Sequence, residues 1–103
     1  MDQIPNRAVQ AAQQDVTYIL HVLRTRNYVA RCISLDYEIA DGEGTSTLDI
    51  AVHAKFFIER LKDSIDITWE YFLDKDSIKY WTLKGTENLI GRVMLAIYDK
   101  EGH

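Results

Sequence analysis

After Pro5 and Asn6 the apolar positions Val9, Ala12, Val16, Ile19, Leu20 and Leu23 recur at three- and four-residue steps. Gln10, Gln13, Gln14 and Asp15 lie between them. This spacing predicts an amphipathic helix over about residues 6 to 26, because side chains three and four apart share one helix face. Pro5 and Asn6 open it. Arg24 and Arg26 suit the negative end of its dipole, and Asn27 is a plausible stop.

From Tyr28 the period drops to two. Ile33, Leu35, Tyr37 and Ile39 alternate with Cys32, Ser34, Asp36 and Glu38, which predicts a strand with one buried face. The stretch Asp41-Gly42-Glu43-Gly44-Thr45-Ser46 is turn chemistry, its glycines free to adopt positive φ. Leu48, Ile50, Val52, Ala54 and Phe56 then alternate with Asp49, Ala51, His53, Lys55 and Phe57 and read as the returning strand of a hairpin. A helix over Thr47 to Ser64 competes with that strand, since Ser46 and Asp49 resemble a capping box and Ala51 and Ala54 are comfortable in helices.

Residues 59 to 64 form a polar connection. Ile65, Ile67, Trp69, Tyr71 and Leu73 alternate with Asp66, Thr68, Glu70 and Phe72 in a third strand rich in β-branched and aromatic types. A turn at Asp74-Lys75-Asp76-Ser77 leads to a fourth strand over Ile78 to Leu83. Gly85 and Thr86 break the pattern before Leu89, Ile90, Val93, Met94, Ile97 and Tyr98 restore helical spacing, with Thr86 as N-cap and a helix over about 86 to 99. The expected fold is one α+β domain over residues 1–103, in the order α-β-β-β-β-α, a four-stranded antiparallel meander with both helices on one face.

Pairing Ile39 with Leu48, Tyr37 with Ile50, Leu35 with Val52 and Ile33 with Ala54 makes one sheet face nearly all apolar. The other collects Asp36, Glu38, Asp49, His53, Lys55, Asp66, Thr68 and Glu70, together with Phe57, Phe72, Trp81 and Leu83. No third helix is left to cover it. Exposed aromatics rimmed by polar groups are the usual composition of a partner surface. The plainer alternative folds helices or loops over Phe57 and Phe72 and lays Trp81 on the sheet edge.

Composition narrows the classes. With 47% apolar and 27% charged residues in 103, the chain can bury one core. It has neither a signal-peptide pattern nor an apolar run long enough to cross a membrane, and its only cysteine, Cys32, excludes an internal disulfide. A reducing, cytoplasmic setting is expected. The net charge of −4 works against phosphate backbones and anionic lipid and favours a basic or apolar protein partner. Arg24, Arg26 and Arg31 read as a solvated helix exit.

Candidate chemistry is sparse. Asp36, Glu38, Asp49 and His53 could bridge a hard cation, but no second histidine or ordered ligand spacing supports it, so no metal or cofactor is expected. The turns at 41–46 and 74–77 lack the calcium-loop spacing, and no glycine-rich phosphate loop or activated nucleophile is present. Phe57, Phe72 and Trp81 could stack unpaired bases, yet carboxylates crowd the same face. In architecture alone the chain resembles small bacterial secretion chaperones, toxin-immunity proteins and phage-encoded inhibitors. The likeness carries no residues across.

The expectation is therefore a non-enzymatic interaction protein, an adaptor, inhibitor or immunity-type chain, that also forms a homodimer. Its binding residues would be Phe57, Phe72, Trp81, Leu83, Asp36, Glu38, Asp49 and Glu70. The alternative is a small-molecule site or small enzyme with a pocket lined by Tyr37, Trp69, Tyr71 and Tyr80.

Overall fold

The helical spacing of the first segment becomes α1, Asn6–Thr25, in a computed structural model that describes residues 4–41, 47–74, 80–81 and 85–102. Its buried stripe is Ala8, Ala11, Ala12, Val16, Ile19 and Leu23, while Val9 and Leu20 are only half-buried. Asn27 takes a positive φ of 67° and ends the helix. The Tyr28 amide then donates to the Leu23 carbonyl at 2.9 Å and the Asn27 amide to Arg24 at 3.0 Å. Those two bonds satisfy carbonyls that the last turn would leave orphaned, and buried Tyr28 packs with Leu23 in the same core.

Three twelve-residue strands follow: β1, Ala30–Asp41, β2, Thr47–Ile58, and β3, Asp63–Asp74. They pair antiparallel in sequence order. Residues 47–58 are strand and not helix, because Ile50, Val52, Ala54, Phe56 and Ile58 are all buried, the period of two that only a strand gives one face. Ile65, Ile67, Trp69 and Tyr71 continue this layer on β3. The β2–β3 connection closes through Lys62, whose φ of 52° lets its amide reach the Ile58 carbonyl at 2.9 Å.

The expected fourth strand is a correction. Of residues 78–83 only Tyr80 and Trp81 are described, and they pair with Leu73 and Phe72 over two residues. A strand over Ile78–Leu83 is not shown, so the sheet proper has three strands and the order is α-β-β-β-α. The run is half the length of its neighbours. It carries apolar residues on both parities, Ile78 and Tyr80 against Trp81 and Leu83, so its alternation specifies no single buried face. The expected turns at 42–46 and 75–77 lie outside the described residues, as does His103.

The register also differs from expectation. Ile39 pairs with Ile50, Tyr37 with Val52 and Leu35 with Ala54, two residues along from the expected partners. A two-residue slip leaves every side chain on its face. Ile33 does not face Ala54. The pairing shifts between Cys32 and Ser34, making Ile33 the extra residue of a bulge, 48% exposed. Strict alternation would have driven Arg31 into the core without a partner. The bulge instead turns Ala30 and Cys32 inward and leaves Arg31 outside.

The last element is α2, Gly85–Lys100, which begins one residue before the expected N-cap. It buries Leu89, Val93 and Ile97 and joins α1 and the inner faces of β2 and β3 in one core. Arg92 donates to the Thr68 carbonyl at 2.9 Å and Lys100 to the Asp63 carboxylate at 3.0 Å, fastening α2 along β3. Among the described residues, no helix is long and apolar enough to cross a membrane.

Candidate functional site

Both helices lie on the inner face, so the outer face of the sheet meets no described helix. Register arranges it in rows. Arg31, Phe57 and Ser64 form one, followed by Ser34, Lys55 and Asp66, then Asp36, His53 and Thr68, then Glu38, Ala51 and Glu70. The last row is Ala40, Asp49, Phe72 and the backbone of Trp81.

The middle of this face is a polar network. His53 reaches Thr68 directly across the strand pair, Nδ1 to Oγ1 at 3.1 Å, and Glu38 diagonally, Nε2 to Oε1 at 3.2 Å. Lys55 Nζ lies 3.9 Å from Asp66 Oδ1. These pairs are exposed, where each ion pair contributes little to stability. They do fix the side chains in place across three strands.

Charge is only partly sorted along the strands, since Asp66 shares the row of Lys55. Arg31 and Lys55 occupy the rows around Phe57, and Arg31 sits over the Phe57 ring at 5.0 Å to its centroid. Asp36, Glu38, Asp49 and Glu70 occupy the rows toward Phe72. Ala51 stands between Glu38 and Glu70 in one row. Asp49 Oδ1 is closed to solvent and accepts no hydrogen bond from the described residues. An unsatisfied buried acceptor costs about 1–3 kcal/mol.

Six of the eight expected binding residues thus share one face: Asp36, Glu38, Asp49, Phe57, Glu70 and Phe72. Trp81 is placed opposite Phe72 by its backbone pairing, and Leu83 lies outside the described residues. The aromatics are not brought together. Phe57 pairs with Ser64 and Phe72 lies eight residues further along β3, a separation of about 27 Å. Phe57 is half-buried beneath Arg31, whereas Phe72 is 39% exposed.

Of the four side chains expected to line a pocket, Trp69 and Tyr71 do something else, Tyr37 is half-buried, and the Tyr80 side chain lies outside those described. Trp69 and Tyr71 are 4% and 1% exposed and fill the core. Trp69 Nε1 donates to the Tyr71 hydroxyl at 2.9 Å, and that hydroxyl donates to the Asp15 carboxylate on α1. Asp15 is therefore a core-side residue that reading it among the polar positions misses. The signal was its place in the 8-11-12-15-16-19 series, together with a buried tyrosine that needs a partner for its hydroxyl. Cys32 faces inward, and burial pushes its thiol above the ordinary cysteine value, which leaves it protonated and a poor nucleophile at neutral pH.

Among the described residues, no three histidine, cysteine or acidic side chains converge to hold a metal ion. No protein-family model, curated protein or solved structure matches the chain.

Proposed function

We propose that the chain is a non-enzymatic protein–protein interaction module of the small acidic adaptor, inhibitor or immunity type. The outer face of its sheet occludes a basic surface on another protein, in the cytoplasm. The observation that carries this reading is the acidic end of a sheet face that no described helix covers, where Asp36, Glu38 and Glu70 are exposed on the same face as Phe72. A lysine or arginine placed there pairs with these exposed carboxylates. Phe72 supplies apolar contact area. Asp36, Glu38 and Glu70 raise the rate of encounter with a cationic surface.

A second copy is the other partner that the charge distribution favours. Two sheets stacked face to face with their strands reversed set Arg31 and Lys55 of one copy over the acidic rows of the other. The pocket reading loses Trp69 and Tyr71 to the core, and a nucleic-acid reading meets the same carboxylates.

The test is affinity capture with the wild-type chain and with a variant carrying Phe72→Ser and Glu70→Lys, in parallel with sedimentation of each alone. Proteins retained by the wild type and lost by a folded variant, with retention falling as salt rises, support the reading. Identical capture profiles, or a variant that unfolds while single substitutions leave capture unchanged, would overturn it. A salt-sensitive dimer abolished by the same substitutions identifies the second copy as the partner.

A further inference from the structure

The two edges of the sheet are treated differently. Arg92 covers the Thr68 carbonyl on the free side of β3, and Trp81 pairs with Phe72 further along. Nothing among the described residues pairs with the free side of β1. The direction of its backbone groups follows from one bond, the Glu59 amide donating to the Val29 carbonyl at 2.9 Å. Backbone groups alternate sides along an antiparallel strand, so Arg31 bonds to β2 while Ala30 and Cys32 turn their N–H and C=O to the open edge. The bulge at Ile33 shifts the count by one, and beyond it Leu35, Tyr37 and Ile39 face the edge.

The side chains of these same residues point inward and are only half-buried, whereas their β2 neighbours Ile50, Val52 and Ala54 are 0–3% exposed. A strip of apolar surface therefore runs along the open ladder. A groove lined by Gln13, Val16, Thr17 and Leu35 separates it from α1. On the outer side the same edge strand presents Asp36 and Glu38, both exposed.

We infer that the β1 edge accepts an extended segment of a partner protein in which apolar and cationic residues alternate, adding a strand to the sheet. It rests on the reading of the chain as a protein-binding module but uses a different contact. The apolar side chains of the segment cover Leu35, Tyr37 and Ile39 on the inner side, and its cations lie beside Asp36 and Glu38 on the outer side. A second copy of β1 is the wrong occupant. Self-pairing centred on Asp36 or Tyr37 sets carboxylate against carboxylate, and centring on Leu35 brings both Ile33 bulges into the ladder.

The probe is a capped peptide of about eight residues alternating lysine and valine, with a glutamate–valine peptide as control. Amide hydrogen exchange of the unmodified protein reads the contact. The lysine peptide slows exchange at Leu35, Tyr37 and Ile39 by about tenfold or more, and the glutamate peptide does not. Tyr37→Pro removes an edge-facing N–H without touching the β2 ladder, and Tyr37→Ala removes the same side chain but keeps that N–H. Binding at least about tenfold weaker in the proline variant than in the alanine variant supports the inference.

Binding without protection of those three amides, no binding of the lysine peptide, or equal affinity of the two Tyr37 variants overturns it. So does concentration-dependent protection without peptide, which would identify a second copy as the occupant. Phe72→Ser with Glu70→Lys leaves peptide binding intact, so failure at the edge and failure at the face are separable.

Discussion

The Tyr71 hydroxyl donates to the Asp15 carboxylate across the seam between β3 and α1, and accepts the indole N–H of Trp69 from behind. These bonds satisfy buried polar groups of the sheet and tie the helix to it.

Tyr71→Phe keeps the ring and removes the shared hydroxyl, leaving the Trp69 indole N–H and the Asp15 carboxylate each short of a partner. The expected loss is about 1–3 kcal/mol of unfolding free energy, measured by urea denaturation at unchanged m-value. Loss of less than about 0.5 kcal/mol would mean that water replaces the hydroxyl.

Deleting Ile33 restores uninterrupted alternation. Cys32 stays inward, Ser34 outward and Leu35 inward, so no core residue changes face. The deletion variant is expected to fold with a native-like near-ultraviolet spectrum. Deleting Tyr37 instead inverts the faces of one end of β1 and is expected to collapse that spectrum.

Asp49→Val exchanges an unsatisfied acceptor for a residue that suits a strand. The expected thermal stability rises, by about 1 kcal/mol at the midpoint, while capture of the basic partner weakens. A fall in stability would show that the carboxylate contributes to folding.

Lys100 and the Ser64 amide hold the Asp63 carboxyl below the ordinary aspartate range, the Lys100 hydrogen bond being the larger cause. A depressed folded-state value means that the contribution is complete above the unfolded value, about 3.9, and disappears as pH falls through the lower folded value. The wild type is therefore expected to exceed Asp63→Asn in stability at neutral pH by a small margin that vanishes in acid below that range. Thermal melts of both from pH 7 to pH 2 read this directly. A margin that persists at pH 2 would contradict the assignment.

The helices and the three long strands were legible because their side-chain periods, 3.6 and 2, are direct consequences of backbone geometry. The carboxylate-bearing face was legible for the same reason. The bulge was not, since Ile33, Leu35, Tyr37 and Ile39 make a self-consistent alternation and only the cost of burying Arg31 argues against it. Register escaped because a slip of two residues preserves every face. The fourth strand failed where alternation carries least information, in a short run apolar on both sides. Asp15 was hidden by its residue type, although its position on the helix already pointed inward.

The guanidinium of Arg92 on the Thr68 carbonyl has a consequence for how many copies can join. A head-to-tail fibre would need β1 of one molecule to lie against β3 of the next, and that β3 edge is already occupied over its middle. A strand added at β1 therefore finds no matching open backbone at Thr68 of a neighbouring copy, which disfavours head-to-tail growth of the sheet.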